Sequence, residues 1–401
     1  MSSQRAFFFV PAIPRFLTDF YVVPQFLARC GLCPIIYAPD PARETSVWWT
    51  EKSLVAETMK LLPQGVELET LPYDRSKPTL GGLLRTMRLA YRLGRKFPGC
   101  LAIFQTIIPI LICGLPMRFL NVRCVFLLTG LGSIFGSDTL KIRIIQTVVK
   151  YLYRYLFAAE NSRVIVHNAE DKSYLVQELG INADHIQVTG GCGVDPELFP
   201  FFEKPPNRRK KVILVPSRLL VEKGIFEAAE ASKILKDRGI DHEMWFSAGI
   251  DQGNPWSLTQ RDLEDIERQN TCVKFIGYHP SVVPLYEACD IVCLPTRYRE
   301  GLPTALIEAS ACGRPIVTCN NVGCREIIVH EETGLMVPPR SPVALADALA
   351  RLLHDETLAE TLRQNAYRQF LAKFTKHHML IKTVSILQGL GIEGALPNQA
   401  V

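Results

Sequence analysis

The chain has 401 residues, 48% of them hydrophobic and 21% charged, with a formal net charge of +5. That length exceeds one ordinary core and suits two or three domains, and the composition excludes a disordered or low-complexity chain. No run reaches the ~18 apolar residues that span a bilayer.

The first residues, Met1-Ser2-Ser3-Gln4-Arg5, pass straight into Ala6–Val10, a run of strand length and not of signal-peptide length. Further strand-like runs follow at Pro34–Tyr37, Val66–Leu71, Cys100–Gln105, Arg123–Leu128, Arg163–His167 and Ile186–Thr189. Helical periodicity lies between most of them, for example at Leu83–Phe97, Leu140–Phe157 and Ala169–Leu179. Continuous apolar strands alternating with helices predict a parallel sheet covered on both faces. The longest apolar stretch here, Ile107 to Cys113, is cut by Pro109 and followed by Gly114 and Pro116.

The twelve cysteines are scattered singly except for Cys30-Gly31-Leu32-Cys33. Without a secretory leader they read as free, mostly buried thiols in a reducing cytoplasm. The CxxC pair is expected at a helix C-terminus, whereas redox pairs sit at helix N-termini.

A break follows at Glu203-Lys204-Pro205-Pro206-Asn207-Arg208-Arg209-Lys210-Lys211, where proline joins a charge run as in a linker. Beyond it the alternation resumes. Strands are predicted at Val212–Pro216, Glu243–Ser247, Val273–Ile276, Ile291–Leu294 and Pro315–Thr318, with helices at Ile225–Asp237, Leu258–Gln269, Val282–Ala288 and Thr304–Ala311. After Pro342 only helix remains: Val343–His354, Leu358–Lys373 and a last one from Lys376 to about Leu387. The fold class is therefore α/β, with two Rossmann-like domains whose ligand clefts lie at strand C-terminal ends.

Polar residues collect at those ends. Ser217-Arg218 and then Glu222-Lys223-Gly224 follow Val212–Pro216, which sets two cations at a strand edge where a diphosphate is clamped. Taken alone, the same residues also fit a solvated loop. Leu294-Pro295-Thr296 ends another strand, and Arg299-Glu300-Gly301-Leu302-Pro303-Thr304 opens a helix. Pro303 suits a first helical turn. Backbone amides from Gly301 through Leu302 and Pro303 to Thr304 would meet a phosphate or sugar. Glu308 lies one turn into that helix. Two glutamates eight apart also fit a solvated helix face, but here they bracket a Gly-Leu-Pro turn between two apolar strands. Cations, a helix N-terminus and a ribose carboxylate are what transfer of a sugar from a nucleotide diphosphate requires, because the breaking bond leaves negative charge on the diphosphate.

Glu300 to Glu308 resembles the glutamate–seven residues–glutamate signature of glycosyltransferase family 4, the retaining GT-B enzymes. Phe275-Ile276-Gly277-Tyr278, Gly323-Cys324-Arg325-Glu326 and Thr333-Gly334-Leu335 extend the likeness across residues 210 to 360. The resemblance implies a GT-B fold with an acceptor-binding domain over 1–203, a nucleotide-sugar domain over 210–375, and a helix at 376–395 packing back on the first. It implies that Arg218 and Lys223 bind the diphosphate, that Glu300 contacts the donor sugar, that Glu308 binds the ribose, and that Gly277 and Tyr278 sit near the base. In the first half, Thr129-Gly130-Leu131-Gly132-Ser133-Ile134-Phe135, Val166-His167-Asn168-Ala169-Glu170-Asp171 and Gly190-Gly191-Cys192-Gly193-Val194-Asp195 resemble bacterial family members that elongate undecaprenyl-diphosphate-linked sugars of N-glycans, O-antigens and capsules. Gly130 and Gly132 fit either a phosphate approach or a tight strand-to-helix turn.

Relatives often carry histidines after the first and fourth strands, where this chain has Pro14-Arg15-Phe16-Leu17-Thr18-Asp19 and Ile103-Phe104-Gln105-Thr106. No histidine precedes His167, which excludes a histidine base at either position and leaves Asp19 and Gln105 as weak acceptor-side candidates. His167 itself reads as structural. No Asp-x-Asp occurs in the chain, so metal-independent transfer is expected, with cations and a helix end in a metal's place.

Between Leu80 and Phe157 stand Arg85, Arg88, Arg92, Arg95, Lys96, Arg118, Arg123, Lys141, Arg143, Lys150 and Arg154, with Asp138 the only acid. This excess fits an anionic membrane surface better than nucleic acid, for which no recognition module is present. The expected partners are a UDP-sugar donor and a polyprenyl-diphosphate glycan acceptor. The expected location is cytoplasmic, peripheral on the inner face of the cell membrane. Transfer to another lipid or polysaccharide acceptor, a GT-B-shaped UDP-sugar epimerase or hydrolase, and a non-catalytic assembly partner are the competing readings.

Overall fold

The computed structural model describes residues 4–13, 16, 20–40, 66–74, 78–130, 140–203, 208–251, 254, 256–297 and 299–394. In the first half, β1 (Arg5–Phe9), β2 (Cys33–Pro39), β3 (Glu67–Leu71), β4 (Leu101–Gln105), β5 (Arg123–Leu128), β6 (Ser162–Val166) and β7 (Ile186–Val188) form one sheet. Every pairing in it is parallel, in the order β3-β2-β1-β4-β5-β6-β7. The consecutive phenylalanines of β1 explain why it is central. Phe7 and Phe9 fill one face with Phe104 and Phe126, while Phe8 fills the other with Ile36, Ile103 and Val125. A strand buried on both faces needs no polar alternation.

Its helices are α1 (Val22–Arg29), α2 (Leu80–Lys96), α3 (Ile107–Phe119), α4 (Leu140–Phe157) and α5 (Ala169–Leu179). Helix α1 is the one whose C-terminus the CxxC pair was expected to mark, whereas the sequence patterns did not single out α3. In α3, Pro109 occupies the first turn, where no amide partner is lost, and Pro116 is carried inside the helix. The apolar run is thus a helix buried through Ile110, Cys113 and Met117. Helix α2 starts three residues before the predicted Leu83, because Thr79 caps it by accepting the Gly82 N–H at 3.2 Å. It buries Gly82, Thr86, Ala90 and Gly94, a small-residue stripe four apart. A Cβ on Gly94 would lie 2.8 Å from Leu120 Cδ1, so only small residues let α2 come this close to the end of α3. The larger Leu84 and Tyr91 are left at the surface.

The second half repeats the plan with β8 (Lys211–Val215), β9 (His242–Phe246), β10 (Val273–Phe275), β11 (Ile291–Leu294), β12 (Ile316–Cys319) and β13 (Leu335–Val337). They too pair parallel, in the order β10-β9-β8-β11-β12-β13. The helices are α6 (Ile225–Asp237), α7 (Gln260–Gln269), α8 (Val283–Ala288), α9 (Thr304–Ala311), α10 (Val322–Ile327), α11 (Pro342–His354), α12 (Glu356–Lys373) and α13 (Lys376–Gln388). Strand β13 and helix α10 were not predicted.

The chain divides into two units, Gly193–Thr375 and the remainder, with α13 belonging to the first. The division falls upstream of the proline-rich segment after Glu203. Val194 N–H donates to Phe374 O at 2.9 Å, and Phe202 O accepts from buried Arg314 at 2.8 Å and from Arg363 at 3.1 Å. Residues 193–203 are therefore fastened to the second unit before the linker-like run begins. Met379, Leu380, Val384 and Leu387 of α13 enter the first unit's core beside Phe8 and Ile36.

Each sheet reverses its strand order once, between β1 and β4 and between β8 and β11. Such switch points leave a crevice at the strand C-terminal ends, where α/β proteins hold ligands.

Candidate active site

The β8/β11 switch point gathers most of the chemistry. After β8, Val221–Lys223 makes one turn of 3₁₀-helix that ends at Gly224, with φ of 74°. A Cβ there would lie 2.1 Å from Pro295 O, so the loop after β8 seats on the loop after β11 only because residue 224 is glycine. Arg297 N–H donates to Glu222 O at 3.0 Å and Arg297 Nη1 to Glu227 Oε1 at 3.0 Å, which fastens the two loops at two further points. Across this junction Lys223 Nζ ion-pairs with Glu300 Oε1, and both side chains are largely buried, 15% and 12% exposed. Thr296 Oγ1 donates to the same carboxylate oxygen at 3.0 Å. From the far side, Asn321 Nδ2 donates to Thr296 O, and a Cβ on Gly323 would lie 2.9 Å from both Glu300 O and Gly301 O. Three chain segments, 222–227, 296–297 and 321–323, thus fix the position of Glu300.

Residues Gly301, Leu302 and Pro303 are buried. Pro303 is the N-cap of α9 and stands one position before the first helical turn expected of it. As proline it brings no N–H, so any amide donors of this turn come from Gly301, Leu302 and Thr304. Glu308 lies on α9 and does not sit on a simple solvated face: its Oε2 accepts a hydrogen bond from Tyr286 Oη at 2.7 Å.

Arg218 joins a different neighbour, with Nη1 3.7 Å from Asp251 Oδ2 beyond β9. Gly277 and Tyr278 follow β10; Gly277 has φ of 75°, and space is open where its Cβ would be. Gly130 lies two residues beyond β5 in the first unit, whereas Gly132 and Asp19 lie outside the described residues. Gln105 closes β4 at the first unit's switch point. It is 1% exposed, and among the described residues neither of its amide atoms has a hydrogen-bond partner. Thr106 beside it has φ of 68°, rare for a β-branched residue. His167 is buried, 3.2 Å from Thr189 Oγ1 and stacked on Phe20, which is how a structural histidine is held. Cys30 caps the C-terminus of α1, and burial raises its thiol pKa, the reverse of redox activation. Cys33 is also half-buried, and the other ten cysteines are buried. Among the described residues no three His, Cys, Asp or Glu side chains are grouped to hold a metal.

The sequence reading missed Tyr286, Thr296 as a ligand of Glu300, Asn321 and Asp251. Tyr286 carries the periodicity of a core residue, and nothing in sequence shows where its hydroxyl ends. Thr296 was at least marked as the end of a strand.

Residues 199–369 match the family model for glycosyl transferases group 1. The chain is 28% identical over 268 residues to the N,N'-diacetylbacillosaminyl-diphospho-undecaprenol alpha-1,3-N-acetylgalactosaminyltransferase of Campylobacter jejuni, covering 64% of this chain and 66% of that one. It is 29% identical over 221 residues to the amylovoran biosynthesis glycosyltransferase AmsK of Erwinia amylovora, covering 53% of each. The matches thus span less than two thirds of either relative. Among solved structures, a glycosyltransferase from Rickettsia africae superposes with a TM-score of 0.74 at 18% identity, over 98% of this chain and 100% of that one. Anabaena Alr3699/HepE, solved with UDP and glucose, gives 0.74 at 16% identity over 96% and 100%. The two Rossmann-like parallel-sheet units are those of the GT-B fold.

Proposed function

We propose that this chain, which carries a glycosyl transferases group 1 domain over residues 199–369, is a retaining glycosyltransferase of bacterial cell-surface polysaccharide assembly. It moves an N-acetylhexosamine or hexose from a UDP-sugar to a polyprenyl-diphosphate-linked glycan. The observation that carries the reading is the Lys223–Glu300 pair, steadied by Thr296 at the β8/β11 switch point. A largely buried ion pair held from three segments is costly to assemble for packing alone, since desolvation offsets most of its attraction. As a preorganised site it has a use.

In this reading the acceptor hydroxyl oxygen bonds to the anomeric carbon while the bond from that carbon to the diphosphate oxygen breaks. UDP departs, and its leaving oxygen takes the acceptor's proton on the same face. Lys223 and Arg218 offset the charge that grows on the diphosphate, with the amides of the Gly301–Thr304 turn beside them. Glu300 holds the donor sugar and Glu308 the ribose. The transfer runs without a metal. Support for the lipid-linked acceptor comes from the named activity of the Campylobacter jejuni relative and from the basic, apolar face of α2 and α4, which we assign to an anionic membrane surface.

The test is UDP release measured with and without a short polyprenyl-diphosphate glycan, using a panel of UDP-sugars and mass-spectrometric detection of the product. Acceptor-dependent release is expected. Lys223→Ala and Glu300→Ala should each lower turnover by about 10²-fold or more while the chain stays folded. Full turnover in either variant overturns the site. Acceptor-independent consumption of UDP-sugar would establish the epimerase or hydrolase reading instead.

A further inference from the structure

Tyr286 is wholly buried in the second unit's core, packed edge-on against Phe199 at 6.3 Å between ring centroids. Its ring therefore has one position, and its hydroxyl reaches out of the apolar cluster toward α9. There it is 2.7 Å from Glu308 Oε2 and 3.2 Å from Ala305 O. Burial, and next the adjacent Glu308 carboxylate, push the phenol pKa well above its ordinary value, so Tyr286 is a permanent donor. A buried phenol is satisfied by a backbone carbonyl alone, and Ala305 O already offers one. The shorter bond goes to the carboxylate.

We propose that Tyr286 is a positioning residue that sets the rotation of the Glu308 carboxylate for recognition of the donor's ribose. This rests on the reading that Glu308 binds the ribose. A glutamate on a helix has three rotatable bonds, and a ribose diol demands one carboxylate plane. Fixing Oε2 from the core removes that freedom before the nucleotide arrives, so less ordering entropy is lost on binding. Tyr286 touches no substrate. It acts through Glu308, on the one feature that distinguishes a ribonucleotide from its deoxy analogue.

The experiment uses the full chain, with UDP and 2′-deoxy-UDP as probes in titration calorimetry, applied to wild type, Tyr286→Phe, Glu308→Gln and the double variant. Tyr286→Phe keeps the ring in the core and removes only the hydroxyl; thermal unfolding and far-UV circular dichroism report that the fold is retained. Wild type is expected to prefer UDP by about tenfold or more, the worth of a hydrogen bond to a charged group. Tyr286→Phe should lose most of that preference while still binding 2′-deoxy-UDP like wild type. The double variant should be no worse than Glu308→Gln, because the two residues act as a unit. If Glu308→Gln loses the preference and Tyr286→Phe keeps it, the positioning role is overturned and the ribose assignment stands. If Glu308→Gln keeps the preference, the ribose assignment falls and the proposal with it. A Tyr286→Phe variant that weakens both probes equally, or fails to fold, also overturns it, since the hydroxyl then serves only the packing.

Discussion

Glu300 and Glu308 look interchangeable in sequence, two carboxylates flanking a Gly-Leu-Pro turn, yet they are held by different means. Lys223 and Thr296 engage Glu300 across two loops, whereas Glu308 is engaged from the core by Tyr286. A hydrogen-bonded network elsewhere in the second unit yields a pH prediction. His242 is fully buried, with Nδ1 2.9 Å from Ile240 O and Nε2 2.8 Å from Ser232 Oγ. A carbonyl only accepts, so Nδ1 carries the proton and Nε2 accepts from the serine, whose oxygen in turn accepts from Asn270 Nδ2 at 2.9 Å. The imidazole is thus neutral, and burial lowers its pKa below the ordinary 6.5. The unfolded chain takes up a proton near 6.5 that the folded one refuses, so stability is fully present above that pH and declines as pH falls through it. Amide exchange of β8 and β9 between pH 7.5 and 5.5 should show this loss of protection, with a shallower decline in His242→Gln. Equal slopes in the two proteins would assign the decline to other groups. Arg218, Lys223, Glu300 and Glu308 were legible in the sequence; their partners were not, because pairs such as Lys223–Glu300 and Tyr286–Glu308 join segments distant along the chain.

At the scale of elements, α2 and α4 show why an amphipathic pattern does not by itself name the buried face. In α2 the stripe of Gly82, Thr86, Ala90 and Gly94 goes inward, and Leu84 and Tyr91 stay out beside exposed Arg85, Arg88, Arg92, Arg95 and Lys96. In α4 the exposed residues include Ile144, Ile145, Val148, Tyr151 and Tyr155 together with Arg143 and Arg154. Exposed apolar side chains among cations, with no acid between, suit the headgroup region of an anionic bilayer. The expected outcome is cosedimentation with vesicles containing phosphatidylglycerol, weaker binding to purely zwitterionic ones, and weakening by salt. Arg85→Glu, Arg88→Glu and Arg92→Glu should together cost about 1 kcal/mol of binding per charge or more, with turnover on a water-soluble acceptor unchanged. Undiminished binding would remove this face from consideration.

For the molecule as a whole, α13 is the element whose loss has the widest consequence. The last helix follows the second unit in sequence and completes the first in space, through Met379, Leu380, Val384 and Leu387 and through Lys376 and Lys382, which donate to Cys192 O and Thr189 O at 3.1 Å each. Burying four such apolar side chains contributes roughly 2 kcal/mol each, and a domain's net stability is only about 5–15 kcal/mol. A chain ending at Thr375 should therefore lose cooperative protection in β1 and β2 and aggregate, while hydrogen exchange in β8 and β11 persists; intact protection in β1 would refute this role. By itself the sequence determined the parallel α/β class, two Rossmann-like halves, and the polar residues gathered at the strand ends of the second. These are local properties: apolar continuity, helical period, and the chemistry of Arg218, Lys223, Glu300 and Glu308. Only the tertiary structure decided which strands flank each switch point and that residues 193–203 belong with the second unit. It alone decided that a core tyrosine holds Glu308, because those facts depend on contacts between residues far apart in the chain, where no spacing rule reaches.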